Sequence, residues 1–398
     1  MLRYIVRVAL GLLMAVALPA CGDGPAEPLP SPFTAVQAGV LHSCGLVGDG
    51  AAYCWGFNEY GQIGDGSRRG RATPVAVLGE LRFKALGLGG GHTCGVTTSD
   101  DVWCWGFNLN GQLGNGATSD RATPGQVGAS LKLVSITAGG SYSCGLTGAG
   151  AAHCWGWNQF GQLGDGGTSD QVSPVAVAGG LAFTQVAAYT SHTCALTPAG
   201  EAYCWGHNDF GQLGVGTTVD GATPALVSNG LTFSAIDVGF WHTCGLLLDG
   251  SAYCWGQNNF GQLGTGEEGL IQEPAPVPVL GGHFFSTLSV GATFSCAVEQ
   301  GTNAAFCWGN NGSGQLGANV AGRCEDAGGN IFQCAFEPSP VSGGLAFQSM
   351  SAANQHVCGL TTDGDAYCWG LGSEGQLGDG SKGQNAFAIA PVRVAGQP

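Results

Sequence analysis

Apolar and polar residues alternate with a period of two in short stretches along the chain, and turn-forming Gly, Asp and Asn residues separate the stretches. In the first fifty-residue unit this pattern predicts strands at about 33–38, 41–47, 51–57 and 73–78. Gly39 breaks the first pair, Gly48-Asp49-Gly50 the second, and a long stretch over 61–71 the third. A helical repeat would need apolar residues at a 3.6-residue period among helix formers, and neither appears.

The same unit recurs. Cys-Trp-Gly stands at 54–56, 104–106, 154–156, 204–206, 254–256, 307–309 and 368–370. Gly-Gln-Leu-Gly follows each at 61–64 (with Ile63), 111–114, 161–164, 211–214, 261–264, 314–317 and 375–378. Self-similarity at a fixed period of this size marks propellers and solenoids. Four antiparallel strands repeated seven times predict an all-β fold, a seven-bladed β-propeller whose closed ring leaves few strand edges exposed. The units fall at about 33–80, 81–130, 131–180, 181–230, 231–282, 283–344 and 345–398, with an insertion at 318–337 in the sixth.

The units share a pattern, with departures: an apolar residue, then Gly-x-x-His-x-Cys-x-Leu, then Gly-x-x-Tyr-Cys-Trp-Gly-x-Asn-x-Phe-Gly-Gln-Leu-Gly and Pro-x-x-Val. This pattern resembles the regulator of chromosome condensation repeat over essentially 33–395, and the stretch from Trp205 to Gly214 fits it best. Phe294 replaces the histidine in unit six, and units six and seven lack the aromatic before Gly314 and Gly375. The resemblance implies a propeller. It also implies a choice of roles, because members include a nucleotide-exchange factor for a nuclear GTPase and secreted bacterial protein inhibitors.

Sixteen of the seventeen cysteines pair at short range: Cys44-Cys54, Cys94-Cys104, Cys144-Cys154, Cys194-Cys204, Cys244-Cys254, Cys296-Cys307, Cys324-Cys334 and Cys358-Cys368. The midpoints of the ten-residue repeat pairs, such as Asp49, Asp249 and Asp363, lie in turns, so the partners face each other across a hairpin. Directly opposite residues in a non-hydrogen-bonded pair lie within disulfide range. The 296/307 pair is one residue longer, which a bulge or longer turn absorbs. Zinc is the competing reading. It favours closer Cys spacing, and dispersed pairs cannot converge on one ion.

Composition narrows the class. Gly makes up 73 of 398 residues and only 10% are charged, yet 44% are hydrophobic, which is enough for a packed core. The N-terminus carries Arg3 and Arg7 before an apolar run, then Leu18-Pro19-Ala20-Cys21, which resembles a bacterial lipobox. We therefore expect a lipoprotein signal at 1–20, lipidation at Cys21, and a Pro-rich tether over 21–32. The expected location is the bacterial cell envelope, periplasmic or surface-exposed, with the membrane reached through the anchor alone. An oxidising compartment agrees with an even set of paired cysteines. Without 1–20, ten basic side chains face 27 acidic ones, a net charge of −17. Such a body repels phosphate backbones, so nucleic acid is not an expected partner.

Candidate chemistry is sparse. His42, His92, His192, His242 and His356 each precede a first cysteine by two positions. They read as structural hydrogen-bonding residues rather than as a metal ring, which would spread its ligands too widely for one ion. The repeated tryptophans alternate with the cysteines and should pack between blades. No nucleophile elbow, His-Glu-x-x-His or argued Ser/His/Asp arrangement occurs, and Gly-Gln-Leu-Gly does not open a helix as a phosphate cradle would. No catalytic residue, metal or cofactor is expected.

Departures from the repeat locate the candidate binding face. In an up-and-down blade the first–second and third–fourth connections emerge together. Phe240 and Trp241, the arginines Arg68, Arg69 and Arg71, and the 318–337 insertion all fall on such connections. An aromatic beside arginine is typical of an interface hot spot. The expected function is a non-enzymatic macromolecule-binding module with a protein partner. Carbohydrate or cell-wall recognition is the first alternative. An exchange role is disfavoured by export and acidity, and a hydrolase by the absence of a site.

Overall fold

The computed structural model describes residues 27–398 apart from 129, 269–270 and 326–327. The expected signal at 1–20 and Cys21 lie outside the described residues. Within them the strands form seven antiparallel sheets, each built from strands consecutive in sequence. In the first blade these are Phe33–Ala38, His42–Val47, Ala52–Gly56 and Arg71–Ala76. The fourth strand lies two residues earlier than expected. Arg71 already pairs with Gly56 across a bulge, whereas Leu78 has left the ladder to bond through its N–H to the Gly64 carbonyl.

The sixth blade carries the insertion as an added ribbon. Arg323–Glu325 pairs with the front of a long outer strand, Ile331–Pro340, giving a five-stranded sheet. One 3-10 turn, Ser228–Gly230, is the only helical element among the described residues. No helix there is long and apolar enough to cross a membrane.

Alternation along each strand builds the spaces between blades. Cys44 and Cys54 face one way and pack with Phe83 and Trp105 of blade two. Trp55 faces the other way and packs with Phe33, Cys358, Cys368 and Leu377 at the junction with blade seven. Each intra-blade bridge is therefore also a wall for the next blade's tryptophan. All seven tryptophans of the Cys-Trp-Gly triplets are fully buried, a large apolar contribution at every junction.

All eight cysteine pairs expected from the sequence are bonded. In the repeat pairs the partners are directly opposite, as Cys44 is to Cys54, at 4.0–4.1 Å between Cα atoms. The extra residue between Cys296 and Cys307 sits in the turn, where Asn303 takes a left-handed conformation (φ 57°), and the ladder keeps its register. Cys324–Cys334 is a diagonal pair in the inserted ribbon, at 5.8 Å. Eight bridges fit an oxidising, extracytoplasmic compartment.

The ring closes without exchanging a strand between its ends. Trp55 Nε1 donates to the Gln376 carbonyl at 2.9 Å, and Ser43 Oγ donates to the same oxygen at 2.9 Å. The segment expected to be tether is docked from Leu29 onward. Leu29 is buried, and its N–H bonds to the Gly396 carbonyl at 2.8 Å.

Candidate functional site

The face expected to carry the binding residues is built the same way in every blade. The residue after Cys-Trp-Gly donates its N–H to the last carbonyl of the first–second connection, as Phe57 does to Leu41 and Gln257 to Trp241. The two kinds of connection are thereby fixed side by side. Within the long third–fourth connection, Asn58 Oδ1 accepts the Ile63 N–H at 2.9 Å and Asn58 Nδ2 donates to the Arg69 carbonyl at 3.0 Å. Equivalent asparagines hold the next three loops. In blade seven Gly372 stands in that place.

Aromatic rings run across this face from blade to blade. Tyr60 meets Phe107 of blade two at 4.7 Å, and Phe160 meets His207 of blade four at 4.3 Å. Phe210 of blade four meets Trp241 of blade five at 5.2 Å, and Trp241 lies edge-on to Phe240 at 4.3 Å. Phe260 of blade five meets Phe332 of the insertion at 5.4 Å. Phe240 and Trp241 are half-buried rather than freely exposed, because neighbouring rings and loops support them. Aromatic contacts thus connect blades four to six, and Phe210, Phe260 and Phe332 were not singled out as site residues from the sequence. Their signal was available: each of the first two is the aromatic before Gly-Gln-Leu-Gly, placed to touch the following blade.

The arginines belong elsewhere on the face. They lie in blade one, three blades from blade five in one direction and four in the other. Arg71 is a structural residue, with Nη2 and Nε 2.7 and 3.0 Å from Asp65 Oδ2. Burial works to raise the Asp65 pKa, but hydrogen bonds from Arg71 and Ser67 outweigh it and hold the carboxyl below its usual range. Arg68 donates to the Glu59 carbonyl at 2.9 Å and reaches Asp120 of blade two at 3.4 Å. Arg69 remains exposed. Phe240 and Trp241 share a face with these arginines but not a patch.

The five ring histidines are structural. His42 Nε2 lies 2.9 Å from Thr93 Oγ1 of the next blade, whose hydroxyl donates to the Gln62 carbonyl at 2.8 Å. That carbonyl also accepts Trp105 Nε1–H at 2.8 Å. Since the hydroxyl proton is committed to the carbonyl, the imidazole donates from Nε2. His92 with Ser143, His192 with Thr243, His242 with Ser295 and His356 with Ser43 repeat the relay. Burial lowers each of these five pKa values to about 3, so the rings are neutral. The Gln of Gly-Gln-Leu-Gly is thus the acceptor that joins blades.

His207, Asp209 and Asp220 bring three ligand-type groups within 4.8 Å of one another, with no ion bound. Gln212 Oε1 is engaged by the Phe210 N–H, so its amide nitrogen faces His207 Nδ1 as a donor at 3.1 Å. The imidazole proton is then on Nε2, aimed at Asp209 at 3.1 Å, and Asp220 is held by the Asn208 N–H at 2.7 Å. No lone pair is free for a metal on the histidine. The trio is a hydrogen-bonded brace.

The RCC1-like domain family model matches residues 83–397, and models of the regulator of chromosome condensation (RCC1) repeat match 33–62 and 49–96. The chain belongs to the RCC1-like domain family. The ultraviolet-B receptor UVR8 of Arabidopsis thaliana is 31% identical over 121 residues, which is 30% of this chain and 24% of that protein. Among solved structures, yeast RCC1 (Prp20) bound to Kap60 superposes with a TM-score of 0.75 at 20% identity, over 99% of this RCC1-like chain and 91% of that one. Human WBSCR16 gives 0.73 at 21% identity, over 84% and 89%. At these identities the likeness shows the fold.

Proposed function

We propose that this RCC1-like propeller is an exported, lipid-anchored protein-binding module. It engages its partner through the aromatic contacts that link blades four to six. The carrying observation is the run Phe210–Trp241–Phe240 together with Phe260–Phe332, anchored on loops that asparagine side chains and backbone bonds hold rigid. Rigid, half-buried aromatics bind at low entropic cost, and such residues dominate hot spots. The insertion stands beside them with its own bridge and, with blade five, borders an open surface groove lined by Val320, Phe336 and Glu337.

The eight bridges support export, and the lipobox-like Leu18-Pro19-Ala20-Cys21 supports anchoring at Cys21. A yeast protein of this fold is seen bound to Kap60, which supports a protein as the class of partner. Affinity capture from envelope extract with the wild-type chain and with Trp241→Ala/Phe332→Ala tests the reading. A partner retained by the first and lost by the second is expected. Equal capture by both, or retention on glycan arrays with no protein partner, would overturn it.

A further inference from the structure

We propose that the central channel is a second binding site, and that it takes a small organic cation of the alkylammonium class between Tyr189 and Asp237. The inner strands of all seven blades enclose a cavity of about 320 Å³. Seven residues stand in equivalent places along it, each opposite the first cysteine of its blade: Gln37, Gly87, Thr137, Ala187, Asp237, Ser289 and Ser351. Asp237 is the only acid among them. Among the described residues no Lys, Arg, His or other acid lines the cavity, so its charge has no counter-charge from them there.

The carboxylate is held in place. Oδ2 accepts the Val290 N–H of blade six at 2.8 Å and Oδ1 accepts the Val238 N–H at 2.9 Å. The Ser289 side chain supplies a third hydrogen bond, which leaves one acceptor site of the carboxylate open. An uncompensated charge in a low-dielectric channel is costly and attracts an opposite one strongly.

Tyr189 breaks the symmetry at a second position, one blade away. The equivalent residues are Gly39, Gly89, Gly139, Gly239, Gly291 and Ala353. Side chains are disfavoured there, since a Cβ at Gly139 or Gly239 would come within 2.1–2.2 Å of the next blade's carbonyl oxygen. The blade-four tyrosine lines the channel, and its hydroxyl is buried without a partner. Burial and the nearby Asp237 carboxylate push its pKa upward, so it stays a neutral hydroxyl whose oxygen can accept from an ammonium N–H.

A ligand cation answers both features at once. Its ammonium neutralises Asp237 and donates to the tyrosine hydroxyl oxygen or meets the ring face, in a cavity whose lining is mostly polar. A neutral polyol would leave the carboxylate unpaired. Burial raises the Asp237 pKa to about 6 despite hydrogen bonds from the Val290 and Val238 N–H groups and from the Ser289 side chain. Among the described residues Tyr189 is the only other titratable side chain lining the cavity, so affinity should fall as pH drops through that value.

Calorimetric titration of the full chain in detergent with n-butylammonium chloride, 1-butanol and sodium chloride tests this. Saturable n-butylammonium binding is expected at pH 8, at least about tenfold tighter than for 1-butanol. The isosteric Asp237→Asn should weaken it at least about tenfold, and Tyr189→Gly, which restores the residue of most other blades, at least about threefold. Equal affinity for 1-butanol, heat reproduced by sodium chloride, or unchanged binding in a folded Asp237→Asn chain would overturn the proposal. Should that variant not fold, Tyr189→Gly and the wild-type chain at pH 5 decide in the same way.

Discussion

Phe294 and Val357 share one core cluster, and they are the two residues that break the inter-blade relay. Phe294 stands where five blades have His and one has Tyr142, and Val357 stands where the other six have Ser or Thr. The donor and its acceptor are thus both missing at the same junction, leaving an apolar pair. Phe294→His alone would bury an imidazole N–H with no acceptor, costing about 1–3 kcal/mol. Adding Val357→Thr should restore the relay, since a hydroxyl there can donate to the Gln315 carbonyl that already accepts Trp369 Nε1. A double-mutant cycle read by denaturant unfolding should give a favourable coupling of about 1 kcal/mol or more. Zero coupling would contradict the relay.

Acid should unfold the wheel cooperatively. The five buried imidazoles have folded pKa values near 3 against an ordinary 6.5. Between these values the unfolded chain binds more protons, so stability falls as pH falls, by up to about 1.4 kcal/mol per pH unit for each histidine. Asp237, raised to about 6, opposes this with one proton between that value and its ordinary 3.8. Transplanting the apolar pair, as His192→Phe/Thr243→Val, should reduce the slope of unfolding free energy against pH by about 1.4 kcal/mol per unit well below pH 6. Urea melts at pH 7, 5.5 and 4.5 measure it.

Much of this molecule was legible because each blade repeats the same packing problem. Period-two alternation, the Cys-Trp-Gly triplet and turn glycines gave the blades and their bridges, since the constraint is local and is stated seven times. What escaped was relational. The carbonyl of Gln62 is a hub only because Trp105 and Thr93 of the next blade reach it, and carbonyls leave no mark in a sequence. Arg71 looked available on a loop, whereas the Asp65 that engages it lies six residues upstream in the same turn. Tyr189 and Asp237 are visible only when the units are aligned position by position, because each is ordinary in its own strand.

The bridges should not be equivalent. Cys194 and Cys204 are buried in the cluster that holds Trp255 of the next blade, so replacing both with Ala removes a loop constraint and opens a void beside an indole. A cost of about 3 kcal/mol or more is expected. Cys324 and Cys334 tie the inserted ribbon to itself, outside the inter-blade clusters. Their replacement should leave the melting temperature nearly unchanged while loosening the insertion, as seen by faster proteolysis within 318–337. Equal losses of melting temperature in the two variants would contradict this division.

The last glycine of Gly-Gln-Leu-Gly should be the least replaceable position of the repeat. Gly164 has φ of +69°, and a Cβ there would lie 2.6 Å from Trp205 Nε1 of the following blade. Two costs therefore add: a left-handed backbone, at about 1 kcal/mol for an L-residue, and displacement of an indole whose N–H is committed to the Gln162 carbonyl at 2.9 Å. Gly216 separates them. Its φ is +80°, yet nothing lies within 4 Å of its added Cβ, so only the backbone cost applies. Gly164→Ala should lose about 3 kcal/mol or more by denaturant unfolding, with overpacking as the larger share, and Gly216→Ala about 1 kcal/mol. Similar values for both would mean that the tryptophan yields freely, and that the motif serves the turn rather than the junction between blades.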